Sequence, residues 1–499
     1  MSAMFIALVV GYLLFSLSWL LFSLVFIIPK LRHRNFPGPH YRSFLFGNAA
    51  DFIAHPGEAH LVLQRYRARF GKTFQFYALQ RRIVAVTDPD DVKFVLATKA
   101  LPKAEAFNAS VGAFSRDGLL TVPEERHMKQ RRAISGRFND DFLRSLHVQT
   151  SAALEEFAGI LGDAAESGAV IDFDEMVTRL ALDVILRCAF GARIGQIQSA
   201  DARSKHPLPA AIAKGLNECF KNLGMYPYRM YLTSQKPLKK AMKFISGFCQ
   251  EIIDERRANP KSDDGVDDLL DIFMNIPGAT DDYIIGEVST FLIAGHDTTS
   301  HSLAFLFYEL CKHPEIKQKM LEEIDLKMTD PKQTIPAFED IAEVPYIRAV
   351  WKETLRLHPV AATGTMRTAT ENIILPSSKL VIEKGCDVLV PPYVIHHLDE
   401  VWPDASSFKP ERFIHPSVRP HPYAFQGFSA GTRNCIGQFF ATHEAVTVIM
   451  STMRQFDVEL ACRPDEIKEF HAVTMKPRYV KKPKDGPPVG LPVRIKKRI

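Results

Sequence analysis

The sequence predicts a mainly α protein with a minor β component. Three observations carry that expectation. The run "DDYIIGEVSTFLIAGHDTTSHSLAFLFYELCKHP", Asp281 to Pro314, has the length and apolar content of a long helix buried on most sides. "VPYIRAVWKETLRLHP", Val344 to Pro359, reads as a second helix, opened by one proline and stopped by another. The β component is confined to short runs such as "RIVAVTD" near residue 82 and "DVLVPPYVI" near residue 387.

In chain order, the first element is an apolar run with no charged side chain before Lys30. As a helix, residues 1–29 would span roughly 40 Å at about 1.5 Å per residue, against a hydrocarbon core of about 30 Å. A cleaved signal peptide calls for a basic start, a shorter apolar stretch and a small-residue cleavage site, none of which is clear here. The run is therefore expected to stay as a transmembrane anchor. "KLRHR", Lys30 to Arg34, places the rest of the chain on the cytosolic side. "FPGP", Phe36 to Pro39, then acts as a stiff hinge within a connecting segment, residues 30–40. No linker, repeat or low-complexity tract divides the remainder of the chain, so residues 41–499 are expected to form a single domain, mostly helical after residue 120. The tail "KKPKDGPPVGLPVRIKKRI" is expected to be loop and edge strand.

A net charge of +5 without a dense Lys/Arg stripe argues against nucleic acid as a partner. The seven cysteines are odd in number and scattered singly with no CxxC pair, which argues against a disulfide framework or a zinc knuckle. Cys435 stands apart, in "FSAGTRNCIGQFFATHEAVTVIMSTMRQF". Gly431 gives its loop conformational freedom, and an apolar-periodic helix is expected from Ile436, opening with Gly437. A thiol at a helix N-terminus is expected to favour the thiolate, a nucleophile or a metal ligand. His443, two turns along the same helix, is too remote to act as its base. A single soft anionic ligand suits haem iron better than zinc, which takes three or four protein ligands. The alternative is a thiol simply buried beside a glycine turn.

The order Phe428, Gly431, Arg433, Cys435, Gly437 resembles the haem-thiolate loop of the cytochromes P-450. The resemblance implies Cys435 as axial ligand, Arg433 paired with a haem propionate, and Phe428 packed near the sulfur. Further motifs occur in the family's order over nearly the whole chain. "ETLR", with Glu353 and Arg356, and "FKPERF", with Arg412, resemble the buried acid–arginine network that holds the haem loop. "AGHDTTS", Ala294 to Ser300, lies in the long helix, where the Thr298 hydroxyl can bond the carbonyl of Ala294 and Gly295 allows a deformation. The resemblance makes Asp297 and Thr298 the pair that deliver protons to bound dioxygen. In "HMKQRRAISGRF", Arg131 matches a propionate-binding arginine, with His127 where the family has a tryptophan. Arg367 matches another propionate-binding arginine.

The implied protein has the cytochrome P-450 fold with one N-terminal transmembrane helix, haem b as cofactor, and a cytosol-facing domain at the endoplasmic reticulum membrane. It would be a monooxygenase inserting one oxygen atom from dioxygen into a lipophilic substrate. The chain shows no flavin, nicotinamide or iron–sulfur motif of its own. Electrons would therefore come from NADPH-cytochrome P-450 reductase, with cytochrome b5 a further candidate donor, and a basic rim of Arg126, Lys129 and Arg132 could meet the reductase's acidic face or be simply a solvated helix face. The wording of the motifs is similar to fatty-acid and sterol hydroxylating branches. Ala294 replaces the glutamate by which some fatty-acid hydroxylases bind haem covalently, so that attachment is excluded. Analogy places the pocket walls near Phe107, Phe114, residues 218–231, Ala361 to Thr363 and Val473 to Met475. The rival readings are a P-450-type isomerase or dehydratase acting on peroxides, and a non-catalytic haem-binding protein.

Overall fold

The computed structural model describes residues 3–40, 43, 45–136, 138–195, 197, 206–261, 266–414, 420–481 and 489–498. Helix α1 spans Ala3–Phe22 and continues through a π turn, Ser23–Ile27, into a last helical turn, Ile28–Arg32. The chain thus leaves helix before the Phe36–Pro39 hinge is reached. Tyr12, Leu13, Phe15 and Trp19 of this segment stand exposed. Among the described residues no helix is long and apolar enough to cross a membrane.

Six further helices build the site: α2 (Glu124–Ser135), α3 (Phe173–Phe190), α4 (Leu208–Gly224), α5 (Asp281–Lys312), α6 (Pro345–Leu357) and α7 (Gln438–Gln455). The Thr280 side chain caps α5 by accepting from Tyr283 N–H, Asp281 and Asp282 sit in its first turn, and Lys312 sits in its last. Its apolar surface is buried almost all round, chiefly against α3, whose own end is set by Gly191 in the left-handed conformation. Prolines begin α6 and come just after its end, as its sequence requires. Helix α7 starts at Gln438, two residues later than the periodicity suggests, because Gly437 is its N-cap.

The strands are short and fall into small separate sheets. A four-stranded sheet has the order β1 (Thr73–Ala78), β2 (Arg81–Val86), β5 (Asp387–Val390) and β4 (Thr365–Thr368). Ile83 pairs with Asp387 in the parallel step, and Thr365 pairs with Val390 in the antiparallel one. A second sheet runs β3 (Val170–Asp172), β9 (Pro492–Lys497), β6 (Phe456–Leu460), and a hairpin joins β7 (Ile467–His471) to β8 (Met475–Tyr479). Two expectations are corrected here. The run near residue 387 is strand only to Val390, after which Pro392–His396 turns helical, since Pro391 and Pro392 remove two ladder donors. The C-terminal strand is central rather than an edge: its neighbours are β3 and β6, and Pro492 is tolerated because it is the strand's first residue. The basic, proline-rich residues 482–488 of that tail lie outside the described residues.

The acid–arginine network ties these layers together. Arg356 donates to both Glu353 oxygens at 2.8 Å, and to the carbonyls of His396, Ala405 and Ser407. Arg412 Nε and the Lys409 N–H add bonds to Glu353 Oε1 at 3.3 and 2.8 Å. Glu353 and Arg356 have no solvent contact, so each is held by the set and neither is satisfied alone. Glu353→Ala is expected to lower the unfolding free energy by about 3–5 kcal/mol, because it leaves the guanidinium buried without its counter-charge. Denaturant midpoints of the two proteins check this, and a loss below about 1 kcal/mol would match a solvent-exposed pair instead.

Candidate active site

A cavity of about 1190 Å³ opens between α5, the loop before α7 and the four-stranded sheet. Its volume exceeds the range usual for a pocket that takes one drug-sized molecule. The loop is fixed by backbone chemistry. Gly431 has φ +77°, and a Cβ there would collide with the Leu96 carbonyl oxygen. Cys435 N–H donates to the Phe428 carbonyl at 2.9 Å, closing the loop so that Phe428 and Cys435 both line the cavity. The exposed surface of Cys435 faces this cavity, with protein packed closely around the rest of the side chain. Burial therefore raises its thiol above the ordinary value, outweighing the Gly437 N–H and the Arg131 charge that favour thiolate. This corrects the expectation that the helix N-terminus alone would ionise it. A coordinating metal would reverse this shift, since it deprotonates a bound thiol outright.

One end of the cavity is cationic. Lys103, His127, Arg131 and Arg433 line it, with Arg367 paired to Lys103 across a β-bridge. Among the described residues the carboxylate paired with this group is Glu124, which accepts from Arg433 Nε at 3.0 Å and Nη2 at 2.7 Å. Arg131 reaches neutral acceptors, the carbonyl and side-chain oxygens of Asn434, at 2.7 and 2.6 Å. Arg367 Nε and His127 Nδ1 are buried without a partner. Burial, then repulsion by Arg367 and Arg433, lowers Lys103 to about 7. Burial likewise lowers Arg367 to about 10 and His127 to about 4. Such a surplus of buried positive charge is costly unless an anion completes it. Iron protoporphyrin IX, with a metal for the thiol and two propionates for the cations, fits both features. Lys103 and Glu124 escaped the sequence reading, and nothing in "KALPKAEAF" sets Lys103 apart from the neighbouring Lys99 and Glu105.

The facing wall belongs to α5. Thr298 Oγ1–H donates to the Ala294 carbonyl at 2.8 Å, and Ala294, Gly295 and Thr298 line the cavity. Asp297 does not line it. Its Oδ2 accepts from Thr474 Oγ1 at 2.5 Å, and its Oδ1 lies 3.4 Å from His301 Nε2. Phe107, Phe220, Met225, Ala361, Thr363 and Val473 are on the cavity wall. Phe114 and Met475 are not: Phe114 packs against Gly215 in the main core, and Met475 sits with Phe305 and Tyr393. His443 is hydrogen-bonded to His147 at 3.1 Å, which engages it away from Cys435.

Lys103 gives a stability signature with a definite sign. In the haem-free protein its folded value, about 7, is below its ordinary 10.5, so between these values the unfolded chain binds more protons and stability rises with pH. Unfolding free energies of the haem-free protein across this window are expected to climb, with the climb reduced in Lys103→Met; equal slopes would remove the lysine from the cationic end.

A family model described as cytochrome P450 matches residues 37–482. The human cytochrome P450 4F3 is 30% identical over 478 residues, covering 89% of this chain and 90% of that protein. A bifunctional cytochrome P450/NADPH–P450 reductase from Bacillus subtilis is 32% identical over 395 residues, covering 74% of this chain and 36% of the longer protein. The crystal structure of a cytochrome P450 (CYP102L1) superposes with a TM-score of 0.79 at 25% identity, covering 93% of this chain and 99% of its own. With the thiol, the anion-seeking end and the α5 wall arranged around one cavity, and a family match over most of its length, the chain belongs to the cytochrome P450 family of haem-thiolate monooxygenases.

Proposed function

We propose that the protein hydroxylates a lipophilic substrate of the fatty-acid or sterol type, using dioxygen and electrons from NADPH-cytochrome P450 reductase. The observation that carries this reading is the cavity itself, which joins a thiol, a cationic cradle and a long apolar chamber. Haem, when bound, supplies the dioxygen chemistry. Cys435 would hold its iron, while Lys103, His127, Arg131, Arg367 and Arg433 would hold the propionates. Phe428 would shield the sulfur from water. Thr298 would present its oxygen to the cavity as an acceptor, because its own proton is committed to Ala294.

Farther along the wall, Arg81, Lys221 and Arg229 line the same cavity. Arg81 is paired with Asp387 at 2.6 Å, and Lys221 and Arg229 share Glu218. Three cations to two carboxylates suit a lipid with an acidic head. The exposed apolar α1, with Ile53, Tyr231 and Leu232 also exposed, supports attachment to the endoplasmic reticulum membrane through residues 1–29, with residues 30–40 as connector and 41–499 as the catalytic domain. Exposed Lys129 and Arg132, on the same helix as His127 and Arg131, suit an acidic electron donor, the reductase or cytochrome b5.

The test is reconstitution with the reductase, NADPH and a panel of lipids. Hydroxylated product that requires NADPH is the expected result, whereas turnover with peroxides alone would favour an isomerase and no turnover a haem carrier. Cys435→Ala is expected to abolish the long-wavelength absorption of the reduced, carbon monoxide-bound protein. Thr298→Ala is expected to cut product formation by about 10²-fold while NADPH consumption continues, the lost electrons appearing as hydrogen peroxide.

A further inference from the structure

Asp297 and His301 are four residues apart and so share one face of α5. His301 Nε2 lies 3.4 Å from Asp297 Oδ1, and its Nδ1 lies 2.7 Å from Oδ1 of Asp174, in the first turn of α3. The second oxygen of Asp297 accepts the Thr474 hydroxyl proton at 2.5 Å, and Thr474 lines the cavity. Two carboxylates, an imidazole and a hydroxyl therefore form one chain from the α3–α5 packing interface to the cavity wall.

The electrostatics agree with the geometry. Burial opposes a charge on His301, yet Asp174 and Asp297 hold its imidazolium up to about 9. Asp297 is held well below the usual carboxylate range despite its own burial, by His301 first and then by His296 and Thr474. Two other titratable groups face the chain. His296, earlier on α5, is buried, bonded to the Leu292 carbonyl and lowered by burial. Asp172, beside Asp174, is raised by burial and by that neighbouring charge.

The Thr474 proton is committed to Asp297, so toward the cavity its oxygen can only accept. We propose that His301 is a positioning residue for oxygen activation: gripped by Asp174, it locks Asp297 onto Thr474, whose hydroxyl oxygen then seats a proton-donating water in the cavity. Asp297 thus acts through Thr474 rather than by entering the cavity itself. The proposal rests on the oxygen-inserting function set out above.

The experiment uses the full-length, haem-loaded protein with its reductase. His301→Gln removes the charge but keeps an amide donor, and Thr474→Val removes the hydroxyl at the cavity end. Each is expected to lower product per NADPH about tenfold, to raise the solvent deuterium isotope effect, and to leave the substrate KM and the carbon monoxide spectrum unchanged. Thr474→Ser is expected to restore coupling. Independently of turnover, ¹⁵N NMR of the histidine rings is expected to show both His301 nitrogens protonated at pH 8. Unchanged coupling in Thr474→Val, a raised KM in place of uncoupling, failure of Thr474→Ser to restore, or a His301 ring titrating near 6.5 would each overturn the proposal. Absence of NADPH-dependent product from the wild type would instead count against the oxygen-inserting function, and the NMR signature would still report on the clamp.

Discussion

Buried positive charge without enough buried negative charge is the constraint on which this site depends. Lys103, Arg131, Arg367 and Arg433 converge on one end of an apolar cavity with Glu124 as their described counter-ion. A folded protein bears such an imbalance only when its working state brings an anion. The lowering of Lys103 by burial and by neighbouring cations, and the unpartnered Arg367 Nε, are two consequences of that shortfall. The same logic applies at Cys435, where burial keeps the thiol neutral until a metal takes the proton's place. Cations and sulfur are thus incomplete in opposite senses, and a dianionic porphyrin side-chain pair with a metal centre completes both.

The surrounding fold supplies rigidity at the points where this demand is greatest. Glu353 and Arg356 tie α6 to the carbonyls of the segment 396–407, and Gly431 presses the cysteine loop's backbone onto Leu96. Neither contact touches the cavity's contents. The glycine contact bears on the cysteine loop directly, whereas the Glu353–Arg356 bonds fix a neighbouring segment, whose His396 Nε2 accepts from Gln426 N–H two residues before Phe428.

The sequence made the long buried helix legible because its apolar pattern leaves no polar face, and it made the cysteine loop legible through the resemblance of its Phe428, Gly431, Arg433, Cys435, Gly437 order to a haem-thiolate loop. The acid–arginine network could be anticipated from three charged residues in separate segments. What could not be anticipated depends on tertiary approach. Lys103 meets Arg367 only through a bridge between segments far apart in the chain, and Glu124 meets Arg433 across 309 residues. The C-terminal strand looked like an edge because its prolines and charges resemble one. Its place between β3 and β6 depends on pairing with segments more than 30 and more than 300 residues away, which no local pattern announces.

Helical geometry explains why Asp297 and Thr298 part company. Consecutive residues on an α-helix point about 100° apart, so the face of α5 that meets the cavity takes Ala294, Gly295, Thr298, Thr299 and Ser302 and leaves out the positions between, Asp297 among them. Thr298 shares its face with Ala294, one turn back, and both line the cavity. Asp297 shares its face with His301, one turn on, and that face looks toward α3 and toward Thr474 in the connection between β7 and β8. An aspartate so placed must either bury its charge or find a cation, and His301 with Asp174 supplies one. The adjacent letters "DT" therefore mark two separate polar devices: a hydroxyl bonded to the Ala294 carbonyl at the cavity wall, and a carboxylate whose influence on the cavity has to pass through a second hydroxyl 177 residues away.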